Sequence, residues 1–478
     1  MEVGIEEQRA LYQKRIPIFT RSVKGKFRTF KWGVLALAYS VFFGLTWLPW
    51  TRHGVPGQAV MFDLTNRRFV LFDLVVYPQD IFWLALLLFI AAVLLFFVTG
   101  LVGRAFCGYF CFQTVWTDAF THIEKWIQGE RPARIRLYKQ PWRLEKIGKL
   151  ALTHALWLLL AFWTGITFVS YFTYAPDLLG RFFTGHAAYA AYVTVVLLTT
   201  TTYVAAGLAR EQVCMYICPY ARFQGVMYEP ETLTVTYDER RGEGPVGRAA
   251  ARSGMRTLEE RHQQGRGDCI DCGYCVQVCP AGIDIRNGLQ YECISCGLCV
   301  DACKTIMDSM EYPRGLIRYD SEVNLAHKQP KRPHLDWRRL KIICYGAALV
   351  IMTAALGYII ATRIDLQDTV QQIRQPLYVI LSDGRIRNRY QIRITNTSGA
   401  DQLYRVGVRG IPAAALDLGS LHDIKIKNGK SLMVQASVKL DPAVAAKIEH
   451  FDFVITPLST PQRVDFKTAR FSSVSGSP

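Results

Sequence analysis

Eight cysteines lie within residues 269–303 and repeat one spacing twice. The first run is Cys-x2-Cys-x2-Cys-x3-Cys-Pro, and the second run has the same four cysteines followed by Lys304 instead of proline. In two-cluster ferredoxins, three cysteines of such a run bind one cubane cluster and the fourth binds the other cluster. The spacing therefore predicts two [4Fe–4S] clusters, one held by Cys269, Cys272, Cys275 and Cys303 and the other by Cys293, Cys296, Cys299 and Cys279.

Zinc binding and a disulfide scaffold are the two alternative uses of such cysteines. Zinc ribbons need two C-x2-C pairs, which leaves the third and fourth cysteine of each run without a role. Gly273 and Gly297 follow the second cysteine of each run, where the backbone must fold closely around inorganic sulfide. The pattern therefore favours iron–sulfur clusters, and Lys304 removes no ligand.

Hydropathy predicts that the chain is anchored in a membrane. Half of the residues are apolar, and a helix needs about 20 apolar residues to cross the hydrocarbon core. Five runs reach this length, and we expect each of them to form a transmembrane helix. They are residues 32–50, 81–102, 150–174, 186–209 and 342–361.

The distribution of lysine and arginine predicts the orientation. Residues 1–31 carry eight of them and residues 103–149 carry nine, whereas 51–80 has three and 171–185 has one. Because cytoplasmic loops are rich in these residues, we expect the N-terminus to lie on the cytoplasmic side of a bacterial inner membrane. The formal net charge of +17 is then explained by loops that face anionic lipid, and nucleic-acid binding is not indicated.

The predicted architecture is a multi-domain membrane protein with an α-helical bundle. Its parts are a cytoplasmic basic segment (1–31), a four-helix membrane domain (32–209), a cytoplasmic segment (210–340) with a ferredoxin-like domain at about 260–312, a fifth transmembrane helix (341–361) and a periplasmic domain (362–478). Short alternating apolar segments in the last part predict a β-sandwich. His422 and His450 are isolated there, and we expect both at the surface.

A second cysteine pattern is repeated at the ends of two predicted helices. Cys107-x-Tyr-x-Cys111 follows Gly100-Leu101 by five residues, and Cys214-x-Tyr-x-Cys218 follows Gly207-Leu208 by the same number. Parallel repeats of this kind could gather four thiols near the cytoplasmic face, where they would favour Cu(I), zinc or another iron–sulfur centre. If the first helix is unbroken, Asp118 and His122 share a face with Cys107 and Cys111. Inert, buried cysteine pairs are the alternative.

The two Cys-x3-Cys motifs, Pro219 after the second, the doubled ferredoxin motif and the exported tail together resemble the cytochrome c oxidase accessory proteins called CcoG, FixG or RdxA. The resemblance covers nearly the whole chain. It implies an immunoglobulin-like tail and a cupric reductase that gives Cu(I) for assembly of cbb3-type oxidase. The implied partners are a cytoplasmic electron donor and the copper-delivery and oxidase-assembly proteins. The implied catalytic or copper-binding residues are Cys107, Cys111, Cys214 and Cys218.

Two other functions remain open from the sequence. A quinol-linked electron conduit of the NapH type has similar helices and Cys-x3-Cys-Pro motifs but lacks the long exported domain, and Trp157 and Trp163 could line its quinone pocket. A non-enzymatic copper chaperone would bind copper independently of the reduction of the clusters. A parallel homodimer is a second way to gather the four membrane-edge thiols.

Overall fold

The computed structural model describes residues 17–51, 57–65, 67–77, 80–252, 254–327, 333–362, 366–396, 398, 401–419, 421, 423–427, 430–459 and 464–473. The α-helices are α1 Lys26–Gly44, α2 Ile81–Val102, α3 Ala105–Tyr109, α4 Phe112–Gln128, α5 Arg131–Lys139, α6 Leu144–Ser170, α7 Ala175–Phe183, α8 Tyr189–Thr202, α9 Pro219–Val226, α10 Glu239–Glu243, α11 Leu258–Gln263, α12 Tyr274–Gln277, α13 Leu298–Ser309, α14 Glu322–Ala326, α15 Leu340–Ala361 and α16 Pro442–Ala445. Helix α8 continues as π-helical turns over Tyr203–Ala209, and Val213–Ile217 is also π-helical.

The chain divides into two compact units. One comprises Met1–Leu48 and Gln79–Ala354, and the other comprises Pro49–Pro78 and Ala355–Pro478. The strands are β1 Val60–Asp63, β2 Arg68–Leu71, β3 Leu74–Val76, β4 Thr234–Tyr237, β5 Ile317–Asp320, β6 Leu366–Gln372, β7 Val379–Ile380, β8 Ile386–Asn396, β9 Gln402–Arg409, β10 Leu416–Asp417, β11 Ile424–Ile426, β12 Ser431–Leu440, β13 His450–Pro457 and β14 Asp465–Arg470.

Among the described residues, four helices are long and apolar enough to cross a membrane: α2, α6, α8 with its π-helical extension, and α15. The first predicted span, 32–50, is not one of them. Helix α1 begins earlier, at Lys26, and ends at Gly44. Its apolar part after Lys31 is therefore roughly 20 Å long, shorter than the ~30 Å hydrocarbon core. The predicted count of five transmembrane helices is not confirmed.

The ferredoxin segment is built on two equivalent cysteine loops. In each loop a residue between the first two cysteines has a positive φ, 48° at Asp271 and 51° at Ser295. The next glycine, Gly273 or Gly297, is left-handed and caps the short helix α12 or the longer helix α13. Strands β4 and β5 pair beside these helices. The same local sequence therefore produces the same backbone turn twice.

The C-terminal domain has two antiparallel sheets with one core between them. The strand orders are β10-β12-β8-β6, with β7 also paired to β8, and β11-β9-β13-β14. Every second residue of β8 and β13 points into this core, including Tyr390 and Phe453, both fully buried. The sandwich confirms the β architecture predicted from alternation. His450 is exposed as expected, and His422 lies outside the described residues.

Candidate functional site

The first cavity of the ferredoxin segment is lined by one predicted set of four cysteines. Cys269, Cys272, Cys275 and Cys303 border it. The remaining wall is mainly apolar and includes Met307 and Leu316, with one guanidinium, that of Arg286. Such a pocket offers four thiols, of which Cys269 and Cys275 are buried and Cys272 is exposed. The chemistry of this donor set therefore fits a [4Fe–4S] cluster.

The second cavity is lined by the other four cysteines, Cys279, Cys293, Cys296 and Cys299, and also by Cys275. The two cavities therefore meet at Cys275. Burial raises the pKa of Cys275 and Cys293 to about 11, and that of Cys279 and Cys303 to about 12. Thiols with such pKa values are protonated at neutral pH in the absence of metal. They would lose their protons when a cationic metal centre binds.

The four membrane-edge thiols come together from the two halves of the membrane domain. Burial raises the pKa of Cys214 to about 12, and the charges of Cys111, Cys107 and Cys218 add to this effect. Cys107 donates a hydrogen bond to Gln224 Oε1 at 2.9 Å, and Gln224 belongs to the helix that follows Cys218. One chain is therefore sufficient to gather these thiols, without a dimer.

The two cysteine pairs have similar local structures. Cys107 lies within α3 and Cys214 within the π-helical turn, while Cys111 and Cys218 are extended residues that precede α4 and α9. Pro219 occupies the first turn of α9, where its missing N–H breaks no hydrogen bond. The second thiol of each pair thus stands at the N-terminus of a helix.

The chain does not form an unbroken helix through Cys107, Cys111, Asp118 and His122, which was the condition for their sharing one face. The backbone of Cys111 is extended (φ −64°, ψ 131°), so α3 and α4 are separate helices and their faces are not in register. Asp118 instead forms ion pairs with Arg28 at 2.9 Å and Lys31 at 3.7 Å. The His122 ring packs edge-on against Trp32, with centroids 4.8 Å apart. These contacts give Asp118 and His122 a role in joining α1 to α4.

Helix α3 packs directly on the second cysteine loop of the ferredoxin segment. A Cβ atom at Gly108 would stand 2.7 Å from the carbonyl oxygen of Ile294 and 3.0 Å from Cα of Cys296. The hydroxyl of Tyr109 donates to the Cys296 carbonyl at 2.8 Å. Cys107 and Cys296 belong to one buried cluster. The membrane-edge thiols therefore adjoin the second cavity.

A cavity of about 350 Å³ opens beside this contact. Cys214 and Met215 line one part of it, and another part is lined by Ile294 of the second cysteine loop and by Pro280, which follows Cys279. Sequence reasoning did not identify this cavity. It also missed Arg104, Gly108 and Tyr109, although a glycine beside a cysteine is a recognisable sign of close backbone approach.

The cysteine-lined cavities and apolar helices define a membrane-anchored iron–sulfur protein of the two-cluster ferredoxin type. Residues 209–322 match a family model described as a 4Fe-4S dicluster domain, and residues 84–131 match a 4Fe-4S binding domain. Residues 356–473 match the IG-like fold at the C-terminal of FixG.

Similar proteins cover most of the chain. Protein RdxB of Cereibacter sphaeroides is 43% identical over 414 residues, 86% of this chain and 85% of the relative. Protein RdxA of the same organism is 43% identical over 84% of each chain. Nitrogen fixation protein FixG of Rhizobium meliloti is 39% identical over 85% of this chain and 82% of its own. A crystal structure of a FixG-related protein from Vibrio parahaemolyticus is similar to 23% of this chain and 97% of its own, at 19% identity and a TM-score of 0.20. The chain belongs to the FixG/RdxA family.

Proposed function

We propose that this protein is a cupric reductase, with Cu(II) bound at the four membrane-edge thiols and reduced there to Cu(I) for the assembly of a cbb3-type oxidase. The observation that carries the proposal is the packing of Cys107 against Cys296, which joins the thiol site to the second cavity. Bound clusters of this type supply single electrons. A cytoplasmic donor provides each electron, and Cu(II) gains it without a change in protons.

The residues of the thiol site are ligands that favour Cu(I), the product of the proposed reaction. Thiolate sulfur prefers the cuprous to the cupric ion, and the adjoining cavity exposes Cys214 and Met215 to an ion that enters from solution. Gln224 is fully buried, and its Oε1 accepts a hydrogen bond from the Cys107 thiol, which holds that side chain in position. The site would thus hold the reduced ion next to the second cavity.

We place the ferredoxin segment in the cytoplasm and the C-terminal domain in the periplasm of a bacterial inner membrane. Residues 49–78 and 355–478 belong to one compact unit, and segments that pack in one unit lie on the same side of a membrane. The low lysine and arginine content of residues 51–80 assigns this side of the membrane to the outside. Protease accessibility in spheroplasts would test this: cleavage within 366–470 before disruption supports the placement, and cleavage within 254–320 contradicts it.

A third iron–sulfur centre at the four thiols is the second candidate. The match of residues 84–131 to a 4Fe-4S binding domain favours it, because the cysteines in that range are Cys107 and Cys111. The thiols would then relay electrons to an acceptor in the adjoining cavity.

The deciding experiment begins with anaerobic purification of the intact, cluster-loaded protein. After reduction and removal of the reductant, one equivalent of Cu(II) is added while cluster absorbance and a cuprous-specific chelator are followed. We expect the clusters to reoxidise as Cu(I) appears. The four-serine variant at Cys107, Cys111, Cys214 and Cys218 should lose this coupling, whereas Cys344→Ser, an exposed cysteine in α15, should keep it.

Two outcomes would select a different function. Copper that binds while the clusters stay reduced would identify a chaperone or another acceptor, with quinone tested next. Iron analysis separates the second candidate: two cubane clusters give roughly eight iron atoms per chain and three give roughly twelve. A loss of about four iron atoms in the four-serine variant would assign the thiols to a third cluster.

A further inference from the structure

Arg104 is a buried cation between the membrane-edge thiols and the second cavity. It is 3% exposed and lies three residues before Cys107. Its Nη1 donates to the carbonyl oxygen of Tyr291 at 2.5 Å, two residues before Cys293. The same side chain lines the cavity that contains Cys214. One guanidinium therefore lies in the cavity that contains Cys214 and is bonded to the chain segment that leads into the second cysteine loop.

No carboxylate of the described residues forms an ion pair with Arg104, and its Nε has no hydrogen-bond partner there. A buried charge without a counter-ion is costly, by several kcal/mol. The donors of the two neighbouring thiol sites are the groups that could compensate this charge, because Arg104 lines the cavity that contains Cys214 and donates to the carbonyl of Tyr291, two residues before Cys293. A cluster bound at these thiols would supply that negative charge.

The first cavity has a matched arginine with the opposite arrangement. Arg286 lines that cavity, but its guanidinium is bound by Asp284 at 2.7 Å and by Asp271 at 2.5 Å. Two carboxylates therefore compensate its charge before any cluster is considered. Among the described ion pairs none includes Arg104, so the cation beside the second site lacks the carboxylate partners that the arginine of the first site has.

We propose that Arg104 raises the reduction potential of the second iron–sulfur site above that of the first and so directs electrons from the first cluster to the second. Reduction adds one negative charge, which a nearby buried cation stabilises and a neutralised one does not. In the exchange the first cluster loses one electron, the second gains it, and no proton or bond changes place. Arg104 acts electrostatically and is not a catalytic residue. The onward step to copper rests on the proposed function, whereas the order of potentials does not.

The test is an anaerobic redox titration of the full-length, cluster-loaded protein, followed by paramagnetic resonance of each reduced cluster. The signal altered in Cys272→Ser belongs to the first site. In the unmodified protein the second site should be reduced first. In Arg104→Gln the equilibrium between the clusters should shift at least tenfold towards the first, which is about 59 mV for a one-electron couple.

Two further variants separate charge from structure. Arg104→Lys keeps the charge and should therefore keep most of the difference in midpoint potential between the two sites. Arg286→Gln should leave the midpoint potential of the second site unchanged. If the second site is reduced after the first in the unmodified protein, the proposal is overturned without any variant. The proposal therefore stays testable even if Arg104→Gln fails to load iron. Equal shifts in the Lys and Gln variants would also overturn it. Failure of copper reduction with the predicted order of potentials would contradict the proposed function alone.

Discussion

The two cysteine loops have one sequence pattern and one backbone conformation, but their surroundings differ. Around the first loop, a Cβ atom at Gly273 would be 4.0 Å from its nearest neighbour, and the local arginine is neutralised by carboxylates. Around the second, Gly297 lies under the ring of Phe27 from α1, and Gly108 and Tyr109 from α3 contact the backbone of the loop. The comparison shows that a repeated motif supplies two equivalent ligand sets, whereas packing against the membrane domain makes only the second a junction.

Replacing a cluster ligand should have the largest effect. Cys272→Ser and Cys299→Ser should each lower iron content by about half, because each removes one ligand of a four-thiolate site. Only Cys299→Ser should also expose Cys107, which is 7% exposed, because Cys299 packs in the same cluster as Cys107. Alkylation of Cys107, quantified by mass spectrometry, distinguishes them. Equal labelling in both variants would mean that the second loop is not the junction.

Gly108→Val should destabilise the contact between α3 and the second loop by about 3 kcal/mol or more, because its side chain meets the backbone of Ile294 and Cys296. The effect is measured as a decrease in the temperature at which the protein loses its cluster absorbance on heating. Gly148→Ala in α6 is the control, since nothing lies within 4 Å of its Cβ position and alanine favours a helix by about 0.5–1 kcal/mol. A valine variant as stable as this control would refute the close approach.

Gly273 and Gly297 occupy equivalent positions in the two cysteine loops but have different neighbours. Alanine at either position adopts a left-handed backbone, at a cost of about 1–2 kcal/mol. At Gly297 the new Cβ would also lie 2.7 Å from the Phe27 ring, whereas at Gly273 the nearest atom is 4.0 Å away. Gly297→Ala should therefore lose its cluster to a chelator faster than Gly273→Ala. If Phe27→Ala fails to restore Gly297→Ala, the Phe27 contact is not the cause.

The smallest expected effect concerns two tyrosine hydroxyls. Tyr109→Phe leaves the buried Cys296 carbonyl without its 2.8 Å donor and should cost about 1 kcal/mol. Tyr274→Phe removes a 3.0 Å bond to the exposed Ser22 carbonyl, where water can replace the donor, and should cost less than about 0.5 kcal/mol. Chemical denaturation of the ferredoxin segment compares them. The reverse order would contradict a tighter second junction.

Sequence reasoning was most successful where the chemistry is local. The crossing of Cys279 and Cys303 to opposite cavities could be anticipated because the reach of a short loop fixes which thiols can share a centre. The 81–102 helix has the predicted bounds because apolar length is a property of a continuous segment. Helix α1 begins before the predicted span because basic residues of its first turns bind another segment: Arg28 and Lys31 form ion pairs with Asp118.

The error at Asp118 has a similar origin. Helical spacing placed Asp118 and His122 with the thiols, but an extended residue at Cys111 ends the regular spacing, and cations from α1 bind the carboxylate. A single extended residue between two helical segments is poorly determined by local preference. Tertiary contacts therefore decide its conformation.

The sequence by itself determined the two cysteine sets, the β architecture of the tail and four of the apolar helices, because ligand reach, alternation and apolar length are encoded in neighbouring residues. Only the tertiary structure decided which site adjoins the membrane-edge thiols. That choice depends on contacts across 187 residues, from Arg104 to Tyr291 and from Tyr109 to Cys296. A buried charge and a backbone approach of this kind arise only when distant segments pack, and no spacing within either segment specifies them.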